Sequence, residues 1–92
     1  MRYFVELSYN GTNYHGWQKQ PNVHTVQGEL NKCLSVLLQK EIELMGAGRT
    51  DTGVHAMQMF AHFDYDLHID SQKLVHKMNS FLPNDISVSK VF

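Results

Sequence analysis

Apolar side chains at Val26, Leu30, Leu34, Leu37 and Leu38 recur at the spacing of one helical face over three turns. No other signal in the chain constrains its fold as strongly. Thr25 stands just before this stretch, where its hydroxyl can accept a bond from a free backbone N–H. Gln27 and Glu29 fall in the first turn, where a carboxylate suits the helix dipole. Gly28 costs the helix about 1 kcal/mol relative to Ala, so it either admits a close neighbour or is neutral. An amphipathic helix of this length excludes an all-β fold.

On both sides of that helix the pattern changes to alternation. Tyr3, Val5, Leu7 and Tyr9 point one way and Phe4, Glu6 and Ser8 the other, which predicts a strand over 3–9. Asn10-Gly11-Thr12-Asn13 is turn chemistry, and a loop continues through Gly16, Pro21 and Asn22. Ile42 and Leu44, alternating with Glu41 and Glu43, predict the start of a second strand. Residues 56–65 alternate again, with Met57, Met59, Ala61, Phe63 and Tyr65 on one face and Gln58, Phe60 and His62 on the other. Asp70 or Ser71 caps a second helix carrying Leu74, Val75, Met78, Phe81 and Leu82, and Pro83-Asn84 ends it. Ile86, Val88 and Val91 make a last strand. The order β-α-β-β-α-β predicts an α+β fold of the ferredoxin-like, split βαβ kind: an antiparallel sheet with two helices on one face.

The 92 residues suffice for one small domain, here 1–92, and their 42% apolar and 18% charged content fits a folded one. The net charge is −1, with 5 basic and 4 acidic groups in residues 1–50 against 3 and 5 in residues 51–92. Neither half has the basic balance of a stand-alone nucleic-acid binder. The single cysteine, Cys33, excludes an internal disulfide and reads as a small packed side chain rather than a nucleophile. Glu6 interrupts the N-terminal apolar residues, and no signal peptide or membrane span is visible, which predicts a cytoplasmic protein without membrane contact. His24, His62, His68 and His76 have no carboxylate or Cys at ligand spacing, so no metal site is expected. Met57 and Met59 read as core, and Lys73 and Lys77 as a solvated helix face. The last strand runs to the final residues with no closing loop, so the chain reads as a piece of something longer.

Residues 46–55, Gly-Ala-Gly-Arg-Thr-Asp-Thr-Gly-Val-His, are far more than a hairpin between two strands requires. Gly46, Gly48 and Gly53 give backbone freedom that lets Arg49, Thr50 and Asp51 project from the tip. Pairing of Asp51 with Arg49 would hold the carboxylate below its usual pKa of about 3.9, an anion fit to act as nucleophile or base. A glycine-rich hairpin with a capping Asp accounts for the same spacing. A dinucleotide fingerprint fails, because the third glycine is missing and a strand follows; a phosphate loop fails for want of Gly-Lys-Ser/Thr. Asp51-Thr52-Gly53 matches the triplet of aspartic proteases, whose nearly all-β fold the helix over 25–40 contradicts.

Three separated segments resemble one family. Tyr9-Asn10-Gly11-Thr12-Asn13-Tyr14-His15-Gly16-Trp17-Gln18 is similar to the opening motif of the TruA family of tRNA pseudouridine synthases. Gly48-Arg49-Thr50-Asp51-Thr52-Gly53-Val54-His55-Ala56 resembles its catalytic motif, and Asn79-Ser80-Phe81-Leu82-Pro83-Asn84-Asp85-Ile86 the motif after its second helix. The likeness covers essentially the whole chain but only about the first third of a typical member. Asn10 stands where the family more often has Asp, and both suit a turn. The resemblance implies isomerisation of uridine to pseudouridine in the anticodon stem-loop of tRNA (positions 38–40), without metal or cofactor. It implies Asp51 as the catalytic carboxylate, with attack on the base or on the ribose both open. Arg49 would pair with Asp51 and help displace the target base, with Thr50, Gly53 and His55 supporting the loop. It also implies a homodimer, a second catalytic half absent from this chain, and no activity for the 92 residues alone.

Read without the family, Trp17, Gln18 and Lys19 offer a stacking face, an amide and a cation suited to RNA. Trp17 packed onto the sheet as an anchor is the other reading. A non-catalytic RNA-binding module of ferredoxin-like fold remains the alternative function, although residues 56–65 lack the aromatic-and-basic strand pattern of such modules.

Overall fold

A computed structural model describes residues 1–18, 20–46 and 56–92. Strand β1 (Arg2–Tyr9) leads to helix α1 (Val26–Leu38), strands β2 (Met45–Gly46) and β3 (Ala56–Asp64), helix α2 (Ser71–Phe81) and strand β4 (Ile86–Val91). The sheet order is β2-β3-β1-β4 with every neighbouring pair antiparallel. The two βαβ units are therefore interleaved: β3 separates β1 from β2, and β1 separates β3 from β4. This is the α+β, ferredoxin-like architecture that the alternation and helical spacing predict.

The expected faces hold. Tyr3, Val5, Leu7 and Tyr9 are buried in one core with Val26, Leu30, Cys33 and Leu34 of α1, Leu74 and Met78 of α2, and Ala61 and Phe63 of β3. Phe4 and Phe60 face the opposite, open side of the sheet. Thr25 caps α1 by accepting from Gly28 N–H, and a Cβ at Gly28 would stand 3.1 Å from that hydroxyl. Glycine there leaves room for the cap. Asp70 caps α2 in the same way, through Lys73 N–H. Cys33 is fully buried, and burial pushes its thiol pKa up to about 12, far from a nucleophile's range. Phe81, expected on the core face of α2, is 39% exposed at the last helical position. The side chain of Met57 lies outside the described residues.

The second strand starts later than expected. Ile42 and Leu44 are buried, yet residues 41–44 make no sheet pairing, and the described part of β2 is Met45–Gly46. Their backbone groups bond to one stripe of α1 instead. Ser35 Oγ accepts from Ile42 N–H at 2.9 Å, Asn31 Oδ1 accepts from Leu44 N–H at 2.8 Å, and Gln27 Nε2 donates to Leu44 C=O at 2.5 Å. Positions 27, 31 and 35 repeat every fourth residue, about 6 Å along a helix. Residues 42 and 44 are about 6.6 Å apart along an extended chain. The near match lets helix side chains stand in for a neighbouring strand, which alternation of apolar residues could not reveal.

Helix α1 ends on Gln39, whose φ of 55° lies in the left-handed region. Glycine reaches that conformation at no steric cost. Gln39→Gly is expected to raise stability by up to about 1 kcal/mol, read from the midpoint of urea unfolding.

Candidate active site

Segment 10–17 is tied down at both ends. Asn10 Oδ1 accepts from Thr12 N–H at 3.0 Å and sets the turn that starts the short 3-10 helix Gly11–Asn13. Tyr14 Oη donates to Asp85 Oδ1 at 2.5 Å, Asn13 Nδ2 to Asp85 Oδ2 at 3.4 Å, and Asn10 N–H to Asp85 C=O at 2.9 Å. The far end of the segment is held to the start of α1. Val26 N–H donates to Gly16 C=O and Gln27 N–H to Trp17 C=O, filling two helix N–H groups that have no partner within the helix. Gly16 takes φ of 84°, which its lack of a Cβ allows. The Tyr14 ring lies 4.7 Å from the His24 imidazole, and His24 in turn meets Glu29 at 2.7 Å.

Trp17 is 2% exposed and stacks on Tyr9 with ring centroids 6.4 Å apart. Its indole fills the space beside Gly46. A Cβ at Gly46 would lie under 3.0 Å from Trp17 Nε1, Trp17 Cε2 and Met59 Cε. The ring thus takes the anchoring place rather than an outward one, and glycine at 46 is what admits it. Gln18 is exposed. Lys19, Arg49, Thr50, Asp51, Gly53 and His55 lie outside the described residues. On either side of 47–55, Gly46 pairs with Ala61 and Ala56 pairs with Tyr9.

The opening and closing motifs therefore meet through Tyr14 and Asp85, and Trp17 of the opening motif packs against Gly46, the last described residue before 47–55. The Tyr14–Asp85 bond was within reach of the sequence, since each residue lies in a motif; the contribution of Gln27 and Asn31 was not. Among the described residues no group of three His, Cys, Asp or Glu side chains could hold a metal ion, and no helix is long and apolar enough to cross a membrane.

Two expectations follow from this arrangement. Trp17 is the only tryptophan, so its emission reports its burial, and Gly46→Ala is expected to shift that emission to longer wavelength and to cost about 1–3 kcal/mol. Burial first, and then the bond and charge of Asp85, raise the Tyr14 hydroxyl above its ordinary range. The protonated phenol is thus favoured by folding, and its contribution is complete below about pH 10 and lost as pH rises further. The gap in melting temperature between the wild type and Tyr14→Phe should shrink above about pH 10.

Known proteins resemble this chain closely. The family model described as tRNA pseudouridine synthase matches residues 7–92. A tRNA pseudouridine synthase A of Bacteroides thetaiotaomicron is 54% identical over 90 residues, covering 98% of this chain and 34% of the relative. That of Bacteroides fragilis is 55% identical over 91 residues, covering 98% and 36%, and that of Aquifex aeolicus 43% identical over 89 residues, covering 97% and 37%. The chain spans about a third of the length of these curated relatives. With its opening and closing motifs joined through Tyr14 and Asp85 and its sheet in the ferredoxin-like order, the chain belongs to the tRNA pseudouridine synthase family.

Proposed function

We propose that this chain is the part of a tRNA pseudouridine synthase that carries the catalytic aspartate, Asp51. The observation that supports the reading is the match of residues 7–92 to the family model, with Trp17 packed against Gly46, the last described residue before the segment holding Asp51. The nine residues 47–55 between β2 and β3 are more than a hairpin requires, and long connections in compact domains are usually functional. Gly46, the residue before them, is fitted against a buried indole. The substrate is a uridine in the anticodon stem-loop of tRNA. Asp51 supplies the carboxylate, and Arg49 pairs with it and fills the stack as the base is displaced. Thr50, Gly53 and His55 shape the loop, and exposed Gln18 with Lys19 contacts the RNA. Trp17 serves the loop as an anchor. The enzyme works in the cytoplasm as a homodimer, with the remaining catalytic groups and the positive field supplied outside these 92 residues.

One observation favours a second reading, a non-catalytic RNA-binding module. Phe4, Phe60 and Phe92 line the open sheet face, with Phe92 5.8 Å from Phe4 and 6.4 Å from Phe60, and Lys90 Nζ 4.9 Å from the Phe92 ring. Stacked rings beside a cation suit single-stranded bases. Against it, the charges at this face are balanced: Arg2 pairs with Asp64, and Glu6 stands opposite Lys90 in the sheet.

Turnover separates the two. In the full-length protein Asp51→Asn is expected to abolish pseudouridine formation on tRNA while largely sparing tRNA binding, and the 92-residue chain alone is expected to be inactive. Normal turnover by Asp51→Asn would remove Asp51 from the chemistry. RNA binding with no turnover by the full-length wild type would favour the module.

A further inference from the structure

The stem that leads into residues 47–55 is held in an unusual way. Among the described residues its sheet pairings are the two of β2, Met45 with His62 and Gly46 with Ala61. The residues before it are fixed by helix side chains. Leu44 has both backbone groups bonded to α1, its N–H to Asn31 Oδ1 and its C=O to Gln27 Nε2. Both side chains are buried, Gln27 6% and Asn31 7% exposed. A buried amide is costly to desolvate and is kept where its bonds matter. Gln27 also donates its backbone N–H to Trp17 C=O, so one residue touches the stem through its side chain and the Trp17 anchor through its backbone.

We propose that Gln27 and Asn31 are positioning residues of the active site, setting from α1 the course of Leu44–Gly46, which lead to the segment carrying Asp51. The proposal rests on the assignment of Asp51 as the catalytic carboxylate. Leu44 is clamped on both backbone groups, so its peptide planes cannot rotate without breaking a bond in a dry place. Gly46, two residues on, is clamped against Trp17. Between these fixed points the stem has little freedom to slide along α1 or to tilt away from β3. A reacting group displaced by about 1 Å loses on the order of 100-fold in rate, so a clamp close to the loop has leverage that a distant one lacks. Ser35, which bonds Ile42 two residues further from the loop, belongs to the same stripe with less leverage.

The test uses pseudouridine formation by the full-length protein, with hydrogen exchange on the 92-residue chain. Gln27→Met and Asn31→Leu keep side-chain size and remove the bonds to Leu44. Both are expected to lower kcat at least about tenfold with KM for tRNA within about twofold, the signature of lost positioning rather than lost binding. Ser35→Ala is expected to lower kcat by less than about threefold. A purely structural stripe would instead lower melting temperature in all three variants with no such gradient in kcat, and that result overturns the proposal. In the wild-type chain the Leu44 amide should exchange as slowly as the amides of β1. If it exchanges like an exposed loop amide, the clamp does not hold the stem and the proposal fails, whether or not the variants fold. Asp51→Asn is measured alongside. If it keeps turnover, the catalytic assignment has failed. If it is inert while Gln27→Met and Asn31→Leu retain wild-type kcat, the positioning role alone has failed.

Discussion

Strand β1 is hydrogen-bonded along both edges, to β3 on one side and β4 on the other, and everything else is arranged around it. Val5 and Leu7 at its middle are 0% and 1% exposed. Their burial forces the odd-numbered face toward the helices, and the period of two then fixes the direction of every other side chain in the strand. Because β1 also ends at Tyr9, beside Ala56 and Trp17, the same strand that organises the core delivers the chain to the site. Asn10 follows at once and ties the turn to Asp85 after α2. Core and site are thus two ends of one element.

Much of this was legible because the elements are locally self-consistent. The apolar stripe from Val26 to Leu38, the caps at Thr25 and Asp70, and the alternation in β1 and β3 each bury the side chains that their spacing marks. What escaped is physical rather than accidental. Residues 41–44 carry strand-like alternation, but their partners are Gln27, Asn31 and Ser35, polar residues that a reading by hydrophobic period passes over. Trp17 allowed two readings because an aromatic in a loop is equally fit to stack or to anchor. The deciding fact is the absent Cβ at Gly46, 29 positions away and without local signature. For the motif residues around Asp51 the expectation of chemistry rests on residue type and resemblance alone, and only the stem that leads to them has a described geometry.

The polar groups inside the molecule follow one rule. Thr25, Gln27 and Asn31 are buried, and all three bond to backbone: a helix N-terminus in the first case, the stem of the loop in the others. Among the described residues no buried side-chain nitrogen or oxygen lacks a partner. Asn79 of α2 repeats the arrangement on β4, donating to Val88 C=O and accepting from Val88 N–H, both at 2.8 Å. Amide side chains on helices are used twice to hold extended backbone in place. This is a small domain's way of fixing a segment without adding strands.

The stripe on α1 also carries a limit of commensurability. The step from Ser35 to Asn31, about 6 Å, nearly matches the step from Ile42 to Leu44, about 6.6 Å, but Gln27, four residues further back, meets the carbonyl of the same Leu44. The match thus serves for one step, and a longer run would stretch its hydrogen bonds past usefulness. A helix can therefore replace a strand only briefly, and the sheet takes over at Met45. A backbone ladder is indifferent to sequence, whereas this one exists only while positions 27, 31 and 35 hold the right side chains. The path of the segment toward Asp51 is thus written in side chains that point substitutions can edit, one rung at a time.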